Sequence, residues 1–551
     1  MRPWLIAVLI AAVVTGCWSP PESETSWVRQ SAVRESQAET LQAIFKDALC
    51  GLVGHKAAHP LPVISAPDTN LPETPVVTTS HTGWLSLHRF STNPPAPVPA
   101  SSLRPRLEAR FAAYQSATIC DVHTHRFTIA GNQVTIESSF HLAGKNAAGH
   151  LIEDHGQVEL TFTPQLTLSR LIVSSHDRLE SPFALFEDVT TKLGMKSQFS
   201  EEHFGTLSRE TGTLDFGGLA VVDVDGDGLL DIYVSRSGPN RFYHQTKEGS
   251  FEELAAHAGI ADPGNGRGVV FADFDMDGLL DLIVANAAVD GINEHPLAIY
   301  QQIKPNRFIP VTESALPERY QAAYYQVSLA DVDGDEDLDI FVSGYGTVGP
   351  LHEPNHAVDA NNGEPNLLLI NHGNFSFTNE ASMRGVAHTD WSYAAGFADA
   401  DQDGDQDLFV ANDWGKNRFY QNDGTGYFTD VAPATESDHP GAGMSVLWLD
   451  VDHDDALDLY VSNMFSNAGG RILPYSQKHD DEVKAALEAA AAGNLLYLNP
   501  TTSSMPNATA AYHVHDGGWS WGAAAIDYDL DGDTDIYQAN GYFTGTRTKD
   551  L

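Results

Sequence analysis

Residues 218–234 read GLAVVDVDGDGLLDIYV. The apolar run Leu219–Val222 predicts a short buried strand, and Ile232–Val234 predicts a returning one. Between them Asp223, Asp225 and Asp227 alternate, Gly228 follows, and Asp231 comes four residues after Asp227. Carboxylates crowded into one tight turn repel each other unless a cation neutralises them. Asp at positions 1, 3, 5 and 9, with the backbone carbonyl of Leu229 at position 7, makes an oxygen cage of the kind hard cations take. Several carboxylates together suit calcium better than magnesium. Glycine at position 6 permits the sharp turn.

An EF-hand would place a bidentate Glu at position 12 and a helix on each side. Position 12 here is Val234, inside a strand, so the stretch predicts a metal-bearing β-hairpin. The pattern returns five times, beginning at Asp273, Asp331, Asp399, Asp450 and Asp527. The candidate ligands are Asp273, Asp275, Asp277, Leu279 and Asp281; Asp331, Asp333, Asp335, Asp337 and Asp339; Asp399, Asp401, Asp403, Asp405 and Asp407; Asp450, Asp452, Asp454, Ala456 and Asp458; and Asp527, Asp529, Asp531, Asp533 and Asp535. Position 7 contributes its carbonyl in each. Up to six calcium ions are therefore expected. Solvated acidic turns would not require Asp at the ninth position of every copy. Glu336 and Asp455 stand where Gly is expected, so the third and fifth sites should bind more weakly.

The copies start roughly 50 to 75 residues apart, the spacing of four-stranded repeat units with insertions. After each hairpin comes a third strand: NRFYHQ at Asn240, PLAIYQQ at Pro296, NLLLIN at Asn366, NRFYQN at Asn417 and NLLYLN at Asn494. A fourth follows at Phe251, Phe308, Phe377, Phe428 and Tyr512 (YHVH). On these residues the chain resembles the FG-GAP or VCBS repeat proteins, whose fold is the β-propeller of integrin α chains. FEDVT at Phe186, GMSVLWLDVD at Gly443, VSNMFS at Val461 and ANGYFTG at Ala539 make it most similar to the cartilage acidic protein family and its bacterial relatives. The resemblance implies a mainly β, calcium-binding propeller over residues 181–551, with six recognisable blades. Such proteins usually continue into another blade and a small ASPIC-type domain; the sequence ends at Leu551, which leaves seven blades open. FEDVT matches the fourth strands but precedes every first strand, so it is placed to complete the last blade and close the ring.

Ahead of the repeats the composition changes. Arg2 and the apolar run Trp4–Val14 predict a signal peptide over residues 1–16. VTG before Cys17 fits a lipobox, which would lipidate Cys17; Trp18 rather than Asp favours the outer membrane or cell surface of a bacterium. Residues 17–30 read as a tether. Residues 31–180 predict a small α+β domain, faintly similar to NTF2-like or cystatin-like domains: a helix within Val28–Leu52, a loop-rich Pro60–Pro105, a helix near Leu103–Gln115 and strands from Asp121 to Ser175. Cys50 and Cys120 are left either as a disulfide or as two free thiols. His123 and His125 share a strand face without a third ligand nearby.

The charge of −43 excludes nucleic-acid binding, which needs a basic face. If every Asp hairpin lies on one face, the long insertions Gly344–Glu364 and Met464–Gly493 and the aromatic residues Trp391, Tyr393, Trp414, Trp519 and Trp521 lie on the other. These aromatics either anchor a protein or glycan partner or plug the central channel. The expected function is a calcium-stabilised, lipid-anchored extracytoplasmic binding or adhesion scaffold. The alternative is a calcium-dependent enzyme acting on polysaccharide or lipid, whose candidates would be His388, Asp390, His513, His515 and Asp516. No phosphate-loop motif is present. GWSWG at Gly518 and HEPNH at His352 match GxSxG and HExxH in letters. The first adjoins a predicted strand rather than a strand-to-helix turn, and the second carries Pro354, which a zinc-binding helix would not hold at its centre.

Overall fold

The computed structural model describes residues 40–50 and 52, and most of 68–195 and 217–540, apart from the stretches 71–74, 82–84, 91–99, 131–132, 164–167, 184–187, 288–296, 347–353, 466–480 and 529–531 and a few single positions. The leader, Cys17, the tether, Phe186 and Asp529, Asp531 and Leu551 therefore lie outside the described residues, as do parts of both long insertions.

The first domain is a helix-backed sheet. Strands β1 (Asp68–Asn70), β2 (Pro75–His81), β3 (Leu85–Phe90), β4 (Ser116–Ala130), β5 (Gln133–Lys145), β6 (Leu151–Phe162) and β7 (Leu168–Ser181) pair in the order β2-β3-β7-β6-β5-β4, with β1 parallel to β7. β5 alternates strictly. Ile136, Ser138, Phe140 and Leu142 point inward, and Glu137, Ser139 and His141 point outward. The inward side chains, with Val122, Val158 and Leu160, meet Leu41, Phe45 and Leu49 of helical residues 40–50 and Leu107 and Phe111 of the helix Ala100–Phe111. Each such apolar side chain contributes roughly 1.5–3 kcal/mol on burial. The expectation of a loop over Pro60–Pro105 is corrected: PVVTTSH is a strand whose Val and Thr residues favour extended backbone and whose Pro75 stands at the first position, where no ladder N–H is needed, and LSLHRF is a strand held by pairing with β2 on one side and β7 on the other.

Cys50 and Cys120 form a disulfide with Cα atoms 5.7 Å apart, tying the first helix to β4 across 70 residues. Opening it with Cys50→Ser and Cys120→Ser should cost about 2–4 kcal/mol, read as a lower urea midpoint for the sheet and an unchanged one for the repeats.

The rest of the chain is a series of antiparallel sheets taken in sequence order. The first holds β8 (Leu219–Val222), β9 (Asp231–Val234), β10 (Arg241–Gln245) and β11 (Phe251–Glu253). The second holds β12 (Gly266–Ala272), β13 (Asp281–Asn286), β14 (Leu297–Lys304) and β15 (Arg307–Pro310). The third holds β16 (Tyr324–Ala330), β17 (Asp339–Gly344), β18 (Leu367–Asn371) and β19 (Phe377–Asn379). β20 (Ser392–Ala398), β21 (Asp407–Lys416), β22 (Arg418–Asn422) and β23 (Phe428–Asp430) repeat the arrangement. So do β24 (Pro440–Leu449), β25 (Asp458–Asn463) and β26 (Leu495–Tyr497), and the hairpin of β27 (Ser520–Ile526) and β28 (Asp535–Asn540) follows. Each buried core joins one sheet to the next. Tyr233 and Phe242 pack with Leu282 and Phe308, Ile283 and Ile299 with Ile340 and Leu369, and Phe341 with Leu408 and Tyr420.

One sequence expectation fails in the fifth sheet. YHVH is not its fourth strand: Tyr512 ends the helical turn Thr509–Tyr512, and the fourth position is filled by Pro506 and Asn507, bridged to Leu498 and Tyr497. Asn507 and Thr509 flank that turn as Glu253 and Ala255 flank the turn of the first sheet, so the helical turn, not the aromatic residue, marks the register.

The connections that leave the fourth strands of the first and third sheets dock on the next sheet in the same way. Gly259 and Gly385, both left-handed (φ +89°), lie against the carbonyls of Phe308 and Phe428, where a Cβ would come within 2.7 and 2.6 Å. Residues 188–195 repeat this against the first sheet: Gly194 (φ +85°) faces the Phe251 carbonyl, and the Phe251 N–H donates to the Leu193 carbonyl at 2.8 Å, as that of Phe428 donates to Arg384 at 2.9 Å.

Candidate metal centres and the opposite face

Each Asp loop joins the first two strands of a sheet, so all of them project from the same sheet end. Their conformation is set by their own side chains. In the first loop Asp223 accepts from the N–H groups of Asp227 (3.0 Å) and Gly228 (2.8 Å), and Asp227 accepts from Leu229 (2.9 Å). Asp273 and Asp331 do the same for their loops, and Asp450 for the fifth. The ligand atoms of Asp223, Asp225 and Asp227, of Asp273, Asp275 and Asp281, and of Asp331, Asp333 and Asp339 each lie within 4.8 Å of one another.

The ninth Asp has a second duty that sequence spacing did not reveal. Asp231 accepts from the N–H groups of Val224 (3.1 Å) and Gln245 (2.9 Å). Asp281 accepts from Phe274 and Gln302, Asp339 from Val332 and Asn371, and Asp458 from Val451 and Asn499. It is a latch between loop and third strand, and it is buried in the first five copies. Burial pushes the carboxyls of Asp281, Asp339 and Asp407 up to about 7, with neighbouring loop carboxylates adding to the rise and the backbone N–H donors opposing it.

Third-strand residues that the repeat pattern did not single out also belong to the site. Gln301 donates to Asp275 (2.7 Å), the His244 imidazole contacts Asp231 (3.0 Å), and Asn499 donates to Asp454 (2.6 Å). Neighbouring loops are stitched together by the same strands. Gln302, Asn371 and Asn422 donate side-chain N–H to the carbonyls of Val224, Phe274 and Val332 in the preceding sheet, at 3.1, 3.1 and 2.9 Å. The cue was present in the sequence as the Gln or Asn closing PLAIYQQ, LLLIN and RFYQN.

The donor set fits a hard cation. Oδ1 of Asp275, Asp333, Asp399 and Asp405 is buried yet accepts no hydrogen bond, an arrangement that costs several kcal/mol per charge unless a positive ion completes it. In the sixth loop Asp527, Asp533 and Asp535 are described; Asp535 keeps the latch to the Tyr528 N–H at 3.2 Å.

Position 6 is left-handed in all six loops: Gly228, Gly278, Glu336 (φ +72°), Gly404, Asp455 (φ +67°) and Gly532. Position 4 is left-handed as well, at Gly226, Met276, Gly334, Gln402 and His453. A left-handed residue other than Gly or Asn costs roughly 1–2 kcal/mol. Glu336→Gly should therefore raise stability by about 1 kcal/mol and tighten metal binding at the third loop, measured by urea unfolding and calorimetric titration.

At the opposite sheet end the aromatic residues separate into two groups. Trp391 is 4% exposed. Its ring packs on Tyr345 (4.9 Å) and Gly346, and its Nε1 donates to Asn362. Tyr325, Tyr345 and Tyr393 stack beside it, with Arg267 over Tyr325. Trp391 is thus a packing residue of this aromatic cluster rather than part of a presented partner face, while Tyr393 packs against the cluster and stays half-buried. Trp414, Trp519 and Trp521 are only half-buried, Trp521 lying 6.3 Å from Tyr393. The enzyme candidates are engaged in structure: Asp390 is buried and paired with Arg418 at 2.7 Å, His388 lies beside Tyr420, and His513 closes a helical turn. His123 pairs with Asp121 at 3.0 Å at the far edge of the first domain.

A family model for the FG-GAP-like repeat matches residues 223–284 and 399–461, each spanning two Asp loops. The chain therefore carries FG-GAP-like repeats. Its relatives place it with the cartilage acidic protein type: cartilage acidic protein 1 of Homo sapiens is 32% identical over 127 residues, 22% of this chain and 18% of that protein. That of Xenopus tropicalis is 25% identical over 349 residues, 59% of this chain and 48% of that protein. The chain spans about half the length, or less, of the curated relatives it matches. Among solved structures, a lectin of Agrocybe aegerita described as recognising non-reducing terminal N-acetylglucosamine has a TM-score of 0.27 at 14% identity, over 57% of this chain and 80% of that one. A putative glycosidase of Bacteroides thetaiotaomicron has a TM-score of 0.21 at 9% identity, over 56% and 86%. At those scores neither likeness bears on function here.

Proposed function

We propose that this protein is a calcium-stabilised β-propeller serving as an extracytoplasmic binding scaffold, exported and held at a bacterial outer membrane or cell surface by a lipid on Cys17. The observation that carries the reading is the recurrence, at one sheet end, of buried carboxylate oxygens that accept no hydrogen bond. Calcium in those loops joins the first two strands of each sheet and, through Gln302, Asn371 and Asn422, one sheet to the next. The docking of residues 188–195 on the first sheet supports ring closure: it is the contact that the connections after the first and third sheets make with the sheets that follow them, so residues 188–195 serve as the connection from the unit whose inner hairpin is β27–β28.

A rigid ring leaves the opposite end free for recognition, and Trp414, Trp519 and Trp521, with the connections around them, are the surface offered to a protein or glycan. Calorimetric titration of EGTA-treated protein should show several calcium sites, with one lost for each of Asp225→Asn, Asp275→Asn and Asp401→Asn. Heat of calcium binding absent from the unmodified chain would end this reading. A glycan and protein array probed with the Trp519→Ala and Trp521→Ala variants beside the parent then tests the recognition face.

A further inference from the structure

On the outward face of the first domain, the structure assigns a second metal site of different chemistry to His141, Glu153 and His155. His141 and His155 are directly opposed on β5 and β6, and Glu153 lies two residues before His155, so the pleat turns all three side chains to one side. Both imidazole Nε2 atoms converge on a single carboxylate oxygen, Glu153 Oε1, at 2.5 Å from His141 and 3.0 Å from His155. The two rings stack with centroids 4.2 Å apart and planes 14° from parallel. The ligand atoms of the three residues lie within 4.8 Å of one another.

As neutral Nε2–H tautomers the two imidazoles can each donate to that oxygen. With the proton on Nδ1 instead, the two Nε2 lone pairs and the carboxylate form a three-donor set that one divalent ion satisfies at once. Ligands at about 2.1 Å from a tetrahedral ion sit roughly 3.4 Å from each other, so the His141–Glu153 contact (2.5 Å) would open by about 0.9 Å and the His155–Glu153 contact (3.0 Å) by about 0.4 Å.

Two imidazoles and one carboxylate select a borderline transition metal of the zinc, copper or nickel class. They disfavour calcium, which takes oxygen ligands and would go to the Asp loops. The side chains remain 31%, 37% and 58% exposed, so a metal held here keeps at least one position open to water or to a donor from outside the chain. The chain then carries hard, all-oxygen sites in its repeats and one softer, open site on its first domain.

The test uses untagged full-length protein saturated with calcium and titrated calorimetrically with zinc chloride. One zinc site is expected that His141→Ala and His155→Ala each weaken at least about tenfold, while His123→Ala, on the neighbouring strand, leaves it unchanged. Cobalt should give a visible ligand-field spectrum that disappears in the same two variants. Because both histidines lie on the outward face, the variants should keep the parental unfolding midpoint in zinc-free buffer. Zinc affinity and cobalt spectrum unaltered in His141→Ala and His155→Ala, or zinc binding that excess calcium abolishes, would overturn the assignment and leave the calcium reading untouched.

Discussion

Chelating divalent metal should lower the unfolding temperature of the repeat array by on the order of 15 °C, and the metal-free protein should lose further stability as pH rises from 5 to 8. A ligand that binds only the folded form stabilises it by about 2.7 kcal/mol per site at a hundredfold excess over Kd, and six such loops act on one continuous array of cores. The pH term follows from the ninth-position carboxyls. Asp281, Asp339 and Asp407 are pushed up to about 7, first by burial, whereas in the unfolded chain they titrate near 3.9. Between those values the folded metal-free form holds more protons than the unfolded form. Its stability therefore falls as pH rises across that window, and the loss is complete above about 7. Calcium binds the deprotonated carboxylates and removes this penalty, so the loaded protein should show a flat or rising profile. Scanning calorimetry at pH 5, 6, 7 and 8, in EGTA and in calcium, reads both effects. Coincident curves in the two buffers would remove the metal from the account of the fold.

The repeats were legible because an Asp loop between two apolar runs satisfies three requirements together: strand, turn and charge. Position and register came out right for the hairpins and for the third strands. The role of Asp231 and its counterparts was only half legible. Spacing marks a ninth-position carboxylate as a ligand, but its burial and its bond to the third strand depend on chain 14 residues away, at Gln245. Position 4 escaped notice because Met276, Gln402 and His453 carry no turn signature, although they share the left-handed backbone of Gly226 and Gly334. In the fifth sheet the long insertion separated β26 from its neighbour, and an aromatic run in a helical turn imitated a strand. The proline count of residues 60–105 hid two strands whose prolines stand at or outside their ends. The His141–Glu153–His155 trio was invisible, since only the β5–β6 register brings residue 141 beside residue 155. The aromatic cluster shows the reverse case: Trp391 looked presentable in sequence, and packing between sheets buried it.

The largest effect expected from a single side chain lies in the first domain, at Asp154. This carboxylate is fully buried and accepts from the Tyr114 hydroxyl (2.7 Å) and from Arg178 Nε and Nη2 (3.0 Å each), with the His176 imidazole 2.6 Å away. Burial alone would push its pKa up; the His176 hydrogen bond and the Arg178 charge outweigh that and hold it below the ordinary range. Arg178 in turn donates to the Arg110 carbonyl, which ties β7 to the helix Ala100–Phe111, and Arg110 contacts His176 at 2.9 Å. Asp154→Ala leaves the largely buried Arg178 and Arg110 without the carboxylate they face, which should cost about 3–5 kcal/mol. Asp154→Asn preserves shape and some acceptors, so its cost should be smaller but of the same sign. Because the folded pKa is depressed, the stabilisation is present above about 4 and is lost as pH falls through the folded value. The difference between parent and Asp154→Asn should therefore be constant from pH 5 to 8 and shrink in acid. The pair Asp154→Asn with Arg178→Met should lose less than the sum of the single changes, since the second removes the charge that the first strands. Hydrogen exchange of the β6 and β7 amides in rising urea measures all four proteins in the same sheet. Additive losses would show that Asp154 and Arg178 act independently.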